Sequence, residues 1–362
     1  MEPKKAKLNT SSMFESLGIS LPEKRLSTGD LVNSCRHWIK FDLQKLTGIR
    51  ERRICSNGED SYSLAINAAL DCLAHSRYTA EDIDVLINCS ITKYNSDLNY
   101  QFDPPLSFFV KEAIGAKRAL YFDVTNACAG MLTGVYILDN YIRRGIIRCG
   151  MIVSGEYVSS ISDNAAREIR TILSKQLASL TVGDAGAALI MDRAKDGIPG
   201  ITACELETYA EHSNLCIGKA CKNAPGAAMF TEARKLHNVA ISLAHPTMLR
   251  TLKKSGVSIQ DIDWLIPHQT AARAIRAGTR KIGARVGGVP RYVVYNLAEF
   301  GNTASTTHFV ALYKYLQEQR FRPGDRIQLL AFASGVVIGS VIFTMDELCR
   351  KYPRQLQDDA KE

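Results

Sequence analysis

The second half of this 362-residue chain restates the first, and that repeat limits the fold more than any single motif. DIDVLINCSITK (82–93) is echoed by DIDWLIPHQTAA (261–272). ALYFDVTNACAGMLTGVYILDNYIRRGIIRCGMIVSGE (119–156) is echoed by RYVVYNLAEFGNTASTTHFVALYKYLQEQRFRPGDRIQLLAFASG (291–335). Each copy reads as an apolar strand, a turn of small residues, an amphipathic helix, a glycine-bearing turn and a second apolar strand. The period is far longer than the roughly 20–50 residues of a solenoid repeat. The reading is therefore a duplicated α/β domain whose two halves pack as one body.

The charged, glycine- and proline-bearing segment DRAKDGIPG (192–200) is the best internal boundary, giving halves at 1–195 and 196–362. Buried strands are predicted over 85–91, 119–124, 151–156 and 186–191, and helices over 63–76 and 130–145. The chain is 46% hydrophobic and 23% charged, enough for a sizeable core. No apolar run reaches the ~20 residues of a bilayer span. The polar start MEPKKAKLNTSSMF lacks the apolar stretch of a signal peptide, so a cytoplasmic protein without membrane attachment is expected. Ten scattered cysteines without a CxxC pair fit a reducing compartment and no metal site; Cys216 and Cys221 are at most a loose pair. The net charge of +8 is dispersed, which argues against nucleic acid.

Three chemically capable residues fall at equivalent points of the repeat. Cys128 in TNACAG, His268 in PHQT and Asn302 in GNTAS each follow an apolar strand where a helix begins. Ligands collect on that edge of an α/β sheet. A thiol at a helix start is expected to favour thiolate, and small neighbours leave room for an acyl group. A histidine and an asparagine amide supply two hydrogen-bond donors to an enolate or oxyanion. Gly335 in SGVVIG lets backbone N–H groups face an acyl carbonyl. The set describes acyl transfer followed by carbon–carbon bond formation.

NACAG, HQTAARAI, FGNTAS and ASGVVIGS, in this order and spacing, resemble the thiolase superfamily, and within it β-ketoacyl-acyl-carrier-protein synthase III and its relatives. GIRERR (48–53) and LTVGDAGAALIM (180–191) extend the resemblance over nearly the whole chain. It implies a five-layer αβαβα sandwich, a homodimer, acylation of Cys128, and enolate binding by His268 and Asn302. It also implies an oxyanion hole from the backbone N–H groups of Cys128 and Gly335. Substrates would be acyl-CoA or acyl-carrier-protein thioesters, with no permanently bound cofactor. An acidic carrier would dock on the basic helix that follows His268, at Arg273 and Arg276.

Departures from that pattern point to a specialised lipid or secondary-metabolite pathway. Leu46 stands where the housekeeping enzymes carry a CoA-contacting arginine, with Lys45 or Lys40 as substitutes, and Val336 stands where they carry phenylalanine. NLCIG (214–218) resembles the head-to-head acyl-condensing enzymes of olefin synthesis. There a glutamate from the neighbouring subunit falls where this chain has Asp103, in QFDPPLS. Asp103 is then either a base that makes decarboxylation unnecessary or a loop residue capping a turn beside Pro104 and Pro105. Aspartate is one methylene short for the former, which favours a decarboxylating or β-ketoacyl donor. An ester- or amide-forming acyltransferase of the same fold is the alternative chemistry; an inactive partner subunit would be expected to lack Cys128.

Overall fold

The computed structural model describes residues 11–37, 41–56 and 58–352. The first repeat holds strands β1 (Ser12–Ser20), β2 (Arg25–Ser27), β3 (Glu51–Arg53), β4 (Val85–Asn88), β5 (Leu120–Asp123), β6 (Cys149–Glu156) and β7 (Ala185–Arg193). Its helices are α1 (Thr28–Asn33), α2 (Leu43–Thr47), α3 (Ser61–Ala74), α4 (Leu106–Ile114), α5 (Gly130–Arg143) and α6 (Ser159–Glu168). The second repeat holds β8 (Ile201–Thr208), β9 (Cys216–Ala220), β10 (Ala227–Thr231), β11 (Trp264–Pro267), β12 (Tyr292–Val293), β13 (Arg326–Ala333) and β14 (Val337–Thr344). Its helices are α7 (Ala233–Ser255), α8 (Ala272–Val286), α9 (Leu297–Phe300) and α10 (Thr307–Gln317).

Two five-stranded sheets carry the duplication. Their orders are β1-β7-β6-β4-β5 and β8-β14-β13-β11-β12, and each strand of the second corresponds to one of the first. Parallel and antiparallel pairings also correspond, with the parallel strands β6, β4 and β5 matched by β13, β11 and β12. The repeated DID motif has a physical reason. Its first aspartate caps a short turn, Asp82 accepting from the Thr79 N–H at 3.0 Å and Asp261 from the Ser258 N–H at 2.8 Å. Its second caps the start of the adjacent strand, Asp84 accepting from Arg148 N–H at 2.8 Å and Asp263 from Arg326 N–H at 2.9 Å. N–H groups at strand starts lack ladder partners, and one carboxylate in each half supplies them.

Five layers follow from where the apolar faces are spent. One core cluster joins α3 and α4 to the first sheet through Ala68, Val110, Met151 and Ile190. A second joins α7 and α8 to the second sheet through Met248, Ile282, Leu330 and Ile342. The largest lies between the sheets, where α5 and α10 contribute Leu132, Val135, Phe309 and Leu312 to both. This is the thiolase-like αβαβα sandwich. Close approach of α3 depends on glycines in the sheet beneath it: a Cβ at Gly155 or Gly186 would overlap the Ser61 or Leu64 carbonyl oxygen. The predicted strand 85–91 stops at Asn88, because the N–H groups of Ile91 and Thr92 turn away to the Glu156 carboxylate. Among the described residues no helix is long and apolar enough to cross a membrane.

Candidate active site

The loop after β5 makes the first wall. Val124 N–H still bonds Asn88 carbonyl at 2.9 Å, then Ala127 turns to a φ of 45°, a left-handed conformation that costs a non-glycine residue free energy. Cys128 follows, and α5 begins at Gly130, where a Cβ would meet the Cys89 carbonyl oxygen. His268 continues the ladder past β11, its N–H bonding Leu330 carbonyl at 3.0 Å. Gln269 pins this turn, its amide N–H donating to Pro267 and Val294 carbonyls at 2.8 and 3.1 Å while its oxygen accepts from Asn296 N–H at 3.1 Å. Asn302 is stitched to the first repeat through Thr181 carbonyl at 2.8 Å and Gly183 N–H at 3.0 Å. Gly301 precedes it at a φ of 65°.

Cys128, His268 and Asn302 all line one cavity of about 1110 Å³. Its lining is mostly apolar, from Ile91, Val158 and Val182 on one side to Leu265, Leu330 and Phe332 on the other. Gly335 stands on the turn between β13 and β14 at a φ of 126°, between the lining residues Ser334 and Val336. Its N–H has no backbone acceptor among the described residues.

Hydrogen bonds orient the donors. The Asn302 side-chain oxygen accepts from Ala304 N–H at 3.1 Å, which leaves the NH₂ end for the cavity. The His268 ring is buried and its Nδ1 has no hydrogen-bond partner among the described residues. An orphaned N–H is rarer and costlier than an orphaned acceptor, so the single ring proton belongs on Nε2. Burial, with His308 alongside at a ring separation of 5.8 Å, pushes the His268 pKa down to about 3. The imidazole is neutral and keeps one ring N–H available as a donor.

The thiol departs from expectation. Burial pushes the Cys128 pKa up, with Cys216 and Glu156 adding to the effect. The surface Cys128 retains faces the cavity, so the resting group is a neutral thiol despite its place before a helix.

Asp103 lies elsewhere. It is exposed on the loop before α4, outside the cavity lining, and its carboxylate accepts no hydrogen bond among the described residues. The expected turn cap is therefore absent; Pro105, the residue before α4, supplies no side-chain cap either. Phe102 beside it is 85% exposed. Arg273 lines the cavity mouth from the first turn of α8, and Arg276 is exposed one turn on without lining it. Neither pairs with a carboxylate among the described residues, whereas Lys175 and Lys235 at the same mouth share Glu232 at 2.9 and 2.6 Å. Leu46 lines the mouth, Lys45 is exposed on α2, and Lys40 lies outside the described residues.

Three contributors were not assigned to the site from sequence. Gln269 is one. Glu156 is another: fully buried, it accepts from Ile91 N–H at 2.9 Å, from Thr92 and from the Ser305 hydroxyl, so it joins a wall of the first repeat to the Asn302 loop. Cys216 is the third; it lines the cavity with the Thr231 hydroxyl at 3.3 Å from its sulfur. The NLCIG motif marked its neighbourhood, but nothing local in the sequence aims it inward.

The buried imidazoles make a pH prediction. His268 and His308, the latter pushed down to about 4 by burial, stay neutral in the folded chain and charge in the unfolded one. Their stabilising contribution is full above the ordinary histidine pKa and is lost as pH falls through it. Buried Asp184, pushed up to about 6, works in the opposite direction, so the effect is read as a difference between proteins. His308→Gln, whose amide retains a donor for the Leu330 carbonyl, should gain on the order of 2–3 kcal/mol relative to wild type between about pH 7 and about pH 4. Urea unfolding at a series of pH values checks this; parallel curves for the two proteins would contradict it.

Comparison with known proteins agrees with this architecture. The family described as 3-oxoacyl-[acyl-carrier-protein (ACP)] synthase III matches residues 122–210, and its C-terminal counterpart matches residues 252–345. A β-ketoacyl-[acyl-carrier-protein] synthase III of Symbiobacterium thermophilum is 30% identical over 338 residues, covering 90% of this chain and 95% of that protein. One from Oceanobacillus iheyensis is 27% identical over 327 residues, covering 90% and 96%. Among solved structures, OleA of Xanthomonas campestris superposes with a TM-score of 0.81 at 24% identity, covering 93% of this chain and 98% of that one. The 3-oxoacyl-[acyl-carrier-protein] synthase III of Aquifex aeolicus gives 0.77 at 23%, covering 93% and 100%. On the sequence match over nine-tenths of its length, the chain belongs to the 3-oxoacyl-[acyl-carrier-protein] synthase III family of condensing enzymes.

Proposed function

We infer that the protein is a ketosynthase that loads an acyl group on Cys128 and condenses it with a second acyl thioester in a Claisen-type reaction. In the first step the Cys128 sulfur attacks the thioester carbonyl, the carbon–sulfur bond to the carrier thiol breaks, and the thiol proton leaves with that thiol. A thioester is exchanged for a thioester, so the step is close to balanced. The backbone N–H groups of Cys128 and Gly335 serve in this reading as donors to the carbonyl oxygen. In the second step the other substrate loses carbon dioxide, or an α-proton to solvent, to give an enolate whose oxygen the Asn302 NH₂ and the His268 Nε2–H hold. Its carbon attacks acyl-Cys128, the acyl carbon–sulfur bond breaks, and the released Cys128 thiolate takes a proton from solvent. The observation that carries this reading is the pair of neutral donors, each fixed by its own surroundings, on the cavity that holds the thiol. Two neutral donors suit an enolate better than they suit removing a proton from an alcohol or amine, which sets aside the ester- or amide-forming alternative.

Both acyl-CoA and acyl-carrier protein suit the mouth. Unpaired Arg273 and Arg276 favour an acidic carrier. A homodimer is supported by the edge strand β5, whose Leu120 is 60% exposed, together with exposed Phe102. Such a dimer would carry the Asp103 loop toward a second cavity. That exposure favours a second reading, in which Asp103 of one subunit abstracts the α-proton in the other and no decarboxylation occurs. We hold to the decarboxylating or β-ketoacyl route, because aspartate is short for that task. Asp103→Asn should then keep full condensation activity, with carbon dioxide released from labelled malonyl thioester in step with product. Loss of at least ~100-fold in condensation with Cys128 loading intact, and no carbon dioxide from simple acyl donors, would establish Asp103 as the base instead.

A further inference from the structure

His268 and Asn302 both serve the enolate, but they are held from different sides. His268 sits on a turn pinned within the second repeat, where Gln269 bonds the Pro267 and Val294 carbonyls and the Asn296 N–H. Asn302 sits on a turn that is strained at Ala304. The φ of Ala304 is 55°, a left-handed backbone that costs a residue with a Cβ free energy. That conformation turns the Ala304 N–H back onto the Asn302 side-chain oxygen, 3.1 Å away. The direction of the Asn302 NH₂ therefore depends on the strained residue keeping its shape.

The strain is held from the first repeat. Ser305, next to Ala304, is fully buried; its hydroxyl donates to the Glu156 side chain and lies 2.7 Å from the Ser154 hydroxyl. Glu156 ends β6 and is fixed in turn by Ile91 N–H at 2.9 Å, Thr92 N–H at 3.2 Å and the Thr92 hydroxyl at 3.1 Å. On the other side of Ala304, the Asn302 backbone is tied to Thr181 and Gly183 of the same repeat. Two anchors thus flank the strained residue. Ser154, Glu156 and Ser305 lie behind the cavity wall and outside its lining, so they act only through what they hold. Polar groups buried this deeply are unfavourable unless paired, and a fully paired network fixes one geometry.

We propose that Ser305 and Glu156 are positioning residues for the enolate step, clamping the Asn302 turn so that its NH₂ meets the enolate oxygen. The inference rests on the ketosynthase reading above and adds a division between its two steps. The Cys128 turn is held by the Ala129 and Gly130 N–H groups on the Asn126 and Ala127 carbonyls, so loading does not pass through the clamp. Only condensation does.

Ser305→Ala cuts the clamp and leaves the Ile91 and Thr92 bonds to Glu156 in place. Loading of Cys128 from octanoyl-CoA, read by intact-protein mass spectrometry, should stay within about 2-fold of wild type. Condensation of the loaded enzyme is then measured with whichever of malonyl-CoA and octanoyl-CoA the wild type uses. It should fall roughly 10–100-fold, the scale on which a misplaced group slows a reaction. In an Asn302→Ala background no amide is left to aim, and the same change should cost no more than about 2-fold. Ser305→Cys, which keeps the shape and weakens the donor, serves if Ser305→Ala does not fold. Wild-type condensation in the variant, equal losses in loading and condensation, or an undiminished loss in the Asn302→Ala background would each overturn the proposal. Failure of wild type to load Cys128, or to condense either donor, is a different result and overturns the ketosynthase reading itself.

Discussion

Cys128→Ala is expected to take up no acyl group from any thioester and to lose overall turnover by on the order of 10⁵–10⁶-fold, the scale on which loss of a covalent nucleophile falls. The fold should survive. The side chain borders a cavity and makes no hydrogen bond that holds the turn, which is carried by Ala129 and Gly130 N–H groups on the Asn126 and Ala127 carbonyls. Cys128→Ser should behave alike, since a hydroxyl at this site has no neighbouring base: the His268 ring is neutral, with its proton on the nitrogen that faces the cavity. Stoichiometric acylation of Cys128→Ala would move the nucleophile elsewhere, and Cys216 on the same wall would be the first place to look.

His268→Ala and Asn302→Ala should each still load Cys128 but lose condensation by roughly 10²–10³-fold, the cost of removing one oxyanion donor. Asn302 needs a further control, because its side-chain oxygen also holds the Ala304 N–H. Asn302→Asp retains that acceptor and loses the NH₂ donor. If the amide matters through donation, the aspartate variant should be at least as inactive as the alanine one. If it matters only by holding the loop, the aspartate variant should be near wild type. Loss of loading with normal condensation of preloaded enzyme would reverse the roles of the two steps.

Much of this was legible in the sequence, and the reasons are local. Strand and helix periods alternate cleanly, and the DID echo survives because each aspartate does a job set by its own turn and neighbouring strand. Strand ends place Cys128, His268 and Asn302 on the same edge in both repeats, so pseudo-symmetry already suggested that they meet. What was illegible depends on contacts between distant segments. The helix-start position of Cys128 argues for thiolate, but the walls that bury it come from both repeats and reverse the direction. Glu156 and Ser305 lie 149 residues apart, and only packing reveals that they tie the two halves of the site together. Asp103 looks like a turn cap by residue type, yet its loop presents it to solvent beside Phe102.

The central claim, that the carbon chain on Cys128 becomes part of the product, has one direct test. Wild-type enzyme is loaded with an isotope-labelled acyl group, freed of excess thioester, and mixed with the second substrate in a single turnover. Quenched samples are followed by intact-protein and product mass spectrometry. Label should leave Cys128 at the same rate as it appears in a β-keto product, one for one, and should stay on the enzyme in His268→Ala. Product that forms unlabelled while acyl-Cys128 persists, or label that leaves only as free acid, would contradict the account.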